Sequence, residues 1–258
     1  MKKIGCISQT YGNNRIQEIK CITFDDVGGA LRDLLDEISF TFHNSSPEIV
    51  NEGRNILKQR FPTCNIRVIN NISYRDSIIQ QLQTMKNNGL TDFALLQDDH
   101  HGINHPENIH FAKSIIEFYR SRPDINFLHF YYKEGFPSVN RMPKESVQYK
   151  GIRFHKYDSR DFKKDNMFSY NDGVFLMSID MMLNIMSMPG IPEDVWGMEW
   201  YIKCLFDNNQ IDRWGVSKEV FAGMYVHGQN TSKDSIEDQT RLLFGMKPNF
   251  DEFIKTLS

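Results

Sequence analysis

The sequence predicts an α/β protein with a mostly parallel sheet and helices on both faces. Short apolar runs alternate along the chain with segments in which apolar residues recur every three or four positions, the spacing of an amphipathic helix. The run Phe93–Leu96 contains no polar residue, which is typical of a strand buried on both faces. Strands that alternate with helices of this size form βαβ units, and such units build a doubly wound sheet.

The first half of the chain contains five predicted strands with helices between them. The strands are expected at 4–8, 38–42, 66–69, 93–96 and 125–132. The helices are expected to begin after Asp25-Asp26, at Pro47, after Ser73 and at Pro106. Proline at the first helical position and serine just before a helix are both common at helix N-termini. Asn88-Gly89 predicts the end of the helix that follows Ser73, because glycine readily adopts a positive φ.

The second half of the chain is less regular. The segment 133–167 mixes proline, glycine and charges with alternating pieces such as Ile152–His155, which indicates a long excursion or a small antiparallel ribbon. Regular elements are then expected as a strand at 174–177, helices at 178–186 and 195–206, and a last strand at 222–227. No internal repeat or interdomain linker is visible, which predicts a single domain.

Composition narrows the classes of function. Of the 258 residues, 40% are hydrophobic and 24% are charged, as in ordinary globular proteins, and the net charge of -3 gives no reason to expect a nucleic-acid partner. The four cysteines form no CxxC pair, which argues against a zinc site or a disulfide framework and fits a reducing compartment. No apolar run reaches the length of a transmembrane segment. The expectation is a soluble cytoplasmic protein.

An acidic motif follows the 93–96 strand directly. Gln97, Asp98, Asp99 and His100 stand at its carboxyl end, where open α/β sheets bind ligands. Two adjacent carboxylates repel each other unless they share a proton or a positive charge lies nearby. A divalent cation, an arginine or a lysine would each meet that need. The alternative is a solvated loop, or acids that cap the following segment.

Three later segments also carry motifs, and together with the acidic motif they form a set with a definite order along the chain. They are Tyr170–Ser178, in which a glycine precedes an apolar strand, Pro192–Trp200, with acids at a helix start, and Tyr225–Gly228, with a late histidine. The set resembles the GT-A glycosyltransferases, which use nucleotide sugars. The resemblance implies one Rossmann-like domain over the whole chain, with a nucleotide-binding half at about 1–132 and an acceptor-side half and helical tail at about 133–258.

The resemblance also implies a site for Mn²⁺ or Mg²⁺. The family carries a short acidic motif, often Asp-x-Asp, and Gln97 occupies the place of its first acid. Asp99 is then the expected direct metal ligand, and Asp98 is expected nearer the donor sugar or the ribose. His227 is expected to complete the metal site, as a late histidine does in many members.

The histidines of these motifs also have a simpler interpretation. A lone histidine such as His227 is more often structural than a metal ligand. Of His100 and His101, at most one is expected to bind a metal, because neighbours on an extended chain face opposite ways. A surface histidine next to a turn is the favoured interpretation of each.

The loop after the first strand is the expected nucleotide contact. By the resemblance, Thr10, Tyr11 and Asn13 contact the base or the ribose, and Arg15 reaches a phosphate. Asp76 is expected near the base, although its place in the capping box that opens a helix explains it without a ligand.

Two acids compete for the role of the general base. Glu199 has aromatic neighbours that would raise its pKa toward that of a working base. Asp194, together with Glu193, lies at a helix N-terminus, where acids interact favourably with the helix dipole without any catalytic role. Glu199 is preferred over Asp194, and whether the reaction inverts or retains the anomeric configuration stays open with this choice.

The leading hypothesis is a metal-dependent glycosyltransferase of the hexosyltransferase type. It would move a sugar from a nucleotide-diphosphate sugar to a carbohydrate or other hydroxyl acceptor. A sugar nucleotidyltransferase would share the sheet and the acids, but the loop 8–15 lacks a glycine-rich, lysine-containing phosphate cradle. The contrasting hypothesis is a non-catalytic carbohydrate-binding protein on a degenerate transferase scaffold, which the neutral Gln97 favours.

Overall fold

The computed structural model has strands and helices throughout the residues that it describes. These residues are 1–13, 16, 19, 32–96, 100–102, 106–129, 144–158, 175–194, 197, 198, 201, 202, 204, 205, 212–216 and 225–227. The strands are β1 (Ile4–Tyr11), β2 (Glu37–His43), β3 (Asn65–Ile69), β4 (Asp92–Leu95), β5 (His100–Gly102), β6 (Phe127–His129), β7 (Glu145–Tyr149), β8 (Ile152–Asp158), β9 (Phe175–Ser178), β10 (Asp212–Val216) and β11 (Tyr225–His227). The helices are α1 (Pro47–Arg60), α2 (Tyr74–Asn87), α3 (Pro106–Ser121) and α4 (Ile179–Met186).

Nine of the strands form one sheet in the order β3-β2-β1-β4-β9-β6-β10-β8-β7. Strands β2 and β3 are parallel, as are β6 and β10. Strand β9 runs antiparallel to both β4 and β6, so the sheet is mixed around β9. Strands β5 and β11 form a separate antiparallel ribbon. The predicted α/β class is confirmed.

The chain divides into two compact units. Unit I consists of Cys6–Asn70, Leu96–Ile116 and Glu219–Ser258, and unit II consists of Met1–Gly5, Asn71–Leu95 and Glu117–Lys218.

In unit I, helix α1 packs on strand β2. The buried residues of this cluster include Phe40, Phe42, Val50, Leu57 and Phe61. Gly53 lies so close to the cluster that a β-carbon at this position would be 2.5 Å from Phe42 Cζ. A small residue is therefore required for the helix to approach the strand.

In unit II, the apolar residues of β4, β6 and β9 are buried together. The rings of Phe93 and Phe175 meet edge to face with centroids 5.7 Å apart. Strands β7 and β8 form a hairpin whose turn residues, Lys150 and Gly151, both have positive φ, as a tight two-residue turn requires. The antiparallel ribbon that was one of two predictions for the 133–167 segment is present at 145–158.

The predicted elements that fall on described residues are present, with ends shifted by a few residues. The helix predicted after Asp25-Asp26 and the one predicted at 195–206 lie largely outside the described residues. The sequence pattern does not predict β5 or β10, which are short and carry several polar residues. Pairing with neighbouring strands creates them, and local pattern does not reveal such pairing. Within the described segments, no helix has both the length and the apolar character needed to cross a membrane.

Candidate functional site

The loop after β1 is tied to the end of β2 and the start of α1 in unit I. The Gly12 amide donates to the His43 carbonyl over 2.9 Å, and Ser45 Oγ donates to the Gly12 carbonyl over 2.7 Å. Asn13 Oδ1 accepts from the Ser46 amide at 2.6 Å. Ser46 is also the N-cap of α1, and Pro47 follows at the first helical position, as predicted. The loop is thus fixed beside a helix N-terminus, where backbone amides and the helix dipole favour anions.

Tyr11 presents an aromatic surface at this place. Its side chain is 57% exposed at the end of β1. One face of the ring stacks on His43, with centroids 4.8 Å apart and an interplanar angle of 21°. Asn44 Nδ2 donates to the Tyr11 hydroxyl over 3.1 Å. The ring is therefore held in one orientation while much of its surface stays available, which suits stacking on a flat ligand.

The other residues predicted to contact the nucleotide from this loop differ in accessibility. Asn13 is exposed, whereas the Thr10 side chain is only 4% exposed. A contact from Thr10 would therefore run through its backbone. Arg15 lies outside the described residues.

Arg32 is a buried arginine of unit I that lies beside Leu96, the residue that precedes the acidic motif in the sequence. Arg32 has no exposed surface. Its Nη2 is 3.4 Å from Ser8 Oγ and 3.5 Å from the Leu96 carbonyl, and Ser8 Oγ itself donates to that carbonyl. Among the described residues, its Nε and Nη1 have no hydrogen-bond partner. A buried guanidinium is unfavourable without a nearby anion, and Asp98 and Asp99 follow Leu96 by two and three residues in the sequence.

Sequence reasoning missed Arg32, because an isolated arginine in a helical pattern carries no signal of burial. Asp98 and Asp99 themselves lie outside the described residues.

The ribbon of β5 and β11 brings two histidines together. The Cα partners across the ribbon are His227 with His100, and Val226 with His101. Directly opposed residues on antiparallel strands lie on the same face, with Cα atoms roughly 4.5–5.5 Å apart. His227 and His100 therefore share one face, and His101 lies on the other. The sequence singled out His227 but did not indicate His100 as its partner.

The residue types at this ribbon fit a divalent cation. Imidazole nitrogen and carboxylate oxygen both bind Mn²⁺, and His100 follows Asp98 and Asp99 directly in the chain. Among the side chains that the structure describes, no group of three or more histidines, cysteines or acids forms a metal site. The acid pair falls outside that description.

Asp76 lies in unit II, at the start of α2. Ser73 is the N-cap of this helix and its hydroxyl accepts from the Asp76 amide over 3.1 Å, as predicted from the capping pattern. The Asp76 carboxylate accepts from Arg75 Nε over 3.1 Å. Arg75 also forms an ion pair with Glu193 at 3.2 Å. Arg75 thereby links Asp76 to the acidic segment that contains Glu193 and Asp194.

Asp194 acts as a helix cap. Its Oδ1 accepts from the Gly197 amide over 2.8 Å, and its carbonyl accepts from the Met198 amide over 3.0 Å. The position has the geometry that the helix-start interpretation predicts. Glu199, the preferred base, lies outside the described residues.

Comparison with known proteins shows the fold. Neither a scan against protein families nor a search of curated proteins finds a match. A cytidylyltransferase from Leptospira borgpetersenii serovar Hardjo-bovis superposes with a TM-score of 0.51 at 10% identity, over 100% of this chain and 94% of that one. A UDP-glucose pyrophosphorylase complexed with UDP-glucose gives 0.51 at 11% identity, over 96% and 100%. At such low identity the likeness confirms the predicted Rossmann-like α/β fold alone.

Proposed function

We propose that this protein is a metal-dependent glycosyltransferase, which moves a sugar from a nucleoside-diphosphate sugar to a hydroxyl group of a carbohydrate acceptor. The observation that carries the proposal is the pairing of His227 with His100 across the ribbon of β5 and β11. Because Asp98 and Asp99 immediately precede His100 in the sequence, this pairing supports a metal site to which both His227 and the acidic motif contribute.

The exposed ring of Tyr11 supports a nucleotide site at the end of β1. In this proposal the base stacks on the ring face that His43 leaves open, and Thr10 and Asn13 contact the base or ribose. The N-terminus of α1 and Arg15 favour the negatively charged diphosphate. Asp98 is proposed to contact the donor sugar or the ribose, and Asp76 is proposed as a contact to the base.

His227, His100 and Asp99 are proposed to hold Mn²⁺ or Mg²⁺. When bound, such a cation offsets the negative charge that develops on the departing diphosphate. Arg32, beside Leu96, is proposed to add a fixed positive charge that lowers the cost of keeping the Asp98 and Asp99 carboxylates side by side.

Glu199 is proposed as the general base. Transfer forms a bond from the acceptor oxygen to the anomeric carbon and breaks the bond from that carbon to a diphosphate oxygen. The Glu199 carboxylate takes the proton of the acceptor hydroxyl, and the nucleoside diphosphate leaves with the electron pair of the broken bond. Asp194 is the weaker candidate, because its carboxylate already accepts from the Gly197 amide.

A thermal-shift screen tests the proposal. UDP-, GDP-, CDP- and dTDP-sugars are added with MnCl2 or with EDTA, and one donor is expected to raise the melting temperature only with the metal. A ligand at a hundred times its Kd stabilises the folded state by about 2.7 kcal/mol. Asp99→Ala, His227→Ala and His100→Ala are each expected to remove the metal-dependent shift.

His101→Ala is the matched control, because His101 lies on the opposite face of the ribbon. It should keep the wild-type shift. The proposal fails if no donor shifts the melting temperature, and the assignment of the ligands fails if His101→Ala behaves like His100→Ala.

The second candidate function is a sugar nucleotidyltransferase. It is supported by two of the structures of similar fold, a cytidylyltransferase and a UDP-glucose pyrophosphorylase. The products separate the two functions. A nucleotidyltransferase releases pyrophosphate from a nucleoside triphosphate and a sugar 1-phosphate, whereas a glycosyltransferase releases a nucleoside diphosphate from its donor.

A further inference from the structure

Arg75 connects the start of helix α2 to the segment that precedes the proposed base. Its Nη1 donates to the Ile191 carbonyl over 3.2 Å, and its Nη2 donates to Glu193 Oε1 over 3.2 Å. Its backbone amide donates to the Glu193 carbonyl over 3.3 Å. Its Nε donates to Asp76 Oδ1 over 3.1 Å, so its own helix holds the guanidinium in place. One residue thus makes three hydrogen bonds to the same short segment.

These contacts control position more than stability. The Arg75 side chain is 23% exposed and that of Glu193 is largely exposed. An ion pair of this kind contributes at most about 1 kcal/mol, since solvent screens it. Two of the three bonds, however, end on backbone carbonyls of the segment. A backbone held at two points cannot shift along or rotate away from α2 without losing them.

Residues 191–194 are in turn packed against Gly197, which lies close to the proposed base in the sequence. The Asp194 carboxylate accepts from the Gly197 amide. A β-carbon on Gly197 would lie 2.7 Å from Pro192 Cβ and 2.8 Å from Asp194 Oδ2, so the turn is closely packed. Glu199 follows Gly197 by two residues. Because Asp194 is hydrogen-bonded to the Gly197 and Met198 amides, a displacement of residues 191–194 would also shift Gly197 and Met198, which directly precede Glu199 in the sequence.

We infer that Arg75 is a positioning residue, which holds residues 191–194 against the start of α2, a few positions before the proposed base Glu199 in the chain. The inference rests on the proposed function, in which Glu199 is the base. Arg75 acts through this segment and contacts neither donor nor acceptor. Because a misplacement of about 1 Å costs roughly a hundredfold in rate, its loss reduces turnover more than folding stability or donor binding.

Steady-state kinetics of four variants test the inference. They are Arg75→Gln, Arg75→Lys, Glu193→Gln and the double variant of Arg75→Gln with Glu193→Gln. Arg75→Gln is expected to lower kcat by roughly ten- to a hundredfold, with the donor KM within about twofold of wild type. Glu193→Gln is expected to lower kcat by a smaller factor than Arg75→Gln. The double variant should be no worse than Arg75→Gln, because both act on one contact, and Arg75→Lys should recover part of kcat.

Arg60→Gln is the matched control. Arg60 pairs with Asp33 at 2.8 Å and its side chain is 30% exposed, so its ion pair resembles that of Arg75. It lies in unit I, in helix α1, and touches none of the proposed site residues in the described structure. Its kcat should equal that of the wild type. A wild-type kcat in Arg75→Gln overturns the inference, and so does loss of the donor-induced thermal shift, which would place Arg75 in the donor site.

Hydrogen exchange separates failure of the inference from failure of the proposed function. The amides of Glu193, Asp194, Gly197 and Met198 are expected to exchange faster in Arg75→Gln than in the wild type or in Arg60→Gln. If the wild type transfers no sugar but this segment loosens, the proposed function is wrong while the positioning contact stands. If these amides exchange at the wild-type rate, the Arg75 guanidinium does not position the segment, since the main-chain bond from Arg75 to Glu193 is kept in Arg75→Gln.

Discussion

At the scale of single residues, Tyr11 gives the most direct test of the nucleotide site. Stacking of a base on an aromatic ring is worth about 1–3 kcal/mol when measured by alanine substitution. Tyr11→Ala is therefore expected to weaken the donor-induced thermal shift. Tyr11→Phe keeps the ring and loses only the hydroxyl that accepts from Asn44. It should retain most of the shift, and a wild-type shift in Tyr11→Ala would contradict the stacking proposal.

A second residue-scale prediction concerns the buried group of Tyr119, Asp92 and Lys2 in unit II. Tyr119 Oη donates to Asp92 Oδ1 over 2.6 Å, and Thr91 Oγ1 donates to Asp92 Oδ2 over 2.6 Å. Lys2 Nζ lies 3.5 Å from Asp92 Oδ1. Burial, reinforced by the Asp92 charge, raises the pKa of Tyr119 well above its usual value. Burial lowers the pKa of Lys2, although Asp92 opposes this.

Tyr119→Phe removes the hydroxyl that donates a hydrogen bond to the buried Asp92 carboxylate. The free energy of unfolding at pH 7, measured in urea, is expected to fall by about 1–3 kcal/mol. Because the folded-state pKa of Tyr119 is raised, the stability it contributes is fully present below about pH 10 and is lost as the pH rises through the folded value. The gap between wild type and Tyr119→Phe should therefore narrow above about pH 10.

Tyr149→Phe serves as the comparison, since Tyr149 is half-buried and packs on Phe118 through its ring. Its effect should stay within about 0.5 kcal/mol. If both variants lower the free energy of unfolding equally, the hydrogen bond from Tyr119 to Asp92 is not the cause of the decrease.

At the scale of elements, the contact between α1 and β2 depends on Gly53. A β-carbon there would meet Phe42 Cζ at 2.5 Å and Cε1 at 2.7 Å. Gly53→Ala gains up to about 1 kcal/mol of helix propensity, but overpacking costs about 1–3 kcal/mol. A net decrease in the free energy of unfolding is expected in chemical denaturation.

Asn51→Ala, on the exposed side of the same helix, is the control and should leave the free energy of unfolding unchanged or raise it. An unchanged free energy of unfolding in Gly53→Ala would show that α1 can move away from β2 at little cost.

Among the helices and strands, those with capping or turn signals are predictable from local sequence. Ser46 and Ser73 cap α1 and α2 as predicted, and Gly89 has a positive φ just after α2. Each of these signals acts within one helical turn, so neighbouring residues suffice to read it. Strand β10 has no such signal. Its five residues include Asp212, Arg213 and Gly215, and pairing with β6 and β8 makes them a strand.

At the scale of the whole molecule, donor binding should protect one set of backbone amides. With the donor and MnCl2 present, exchange is expected to slow at 10–13 and 43–46, which form the loop beside Tyr11 and the end of β2. The β7–β8 hairpin at 145–158 should exchange at its unliganded rate. Protection confined to the hairpin would place the donor elsewhere and contradict the proposed nucleotide site.

The sequence by itself determined the alternation of strands and helices, the caps of α1 and α2, and the place of the acidic motif after a buried strand. These features are local, because periodicity and capping involve residues a few positions apart. Only the tertiary structure decided that His227 lies opposite His100, that Arg32 is buried beside Leu96, and that Arg75 holds the segment 191–193. Those contacts join residues far apart in the chain, and their geometry follows from strand register and packing, which no local pattern encodes.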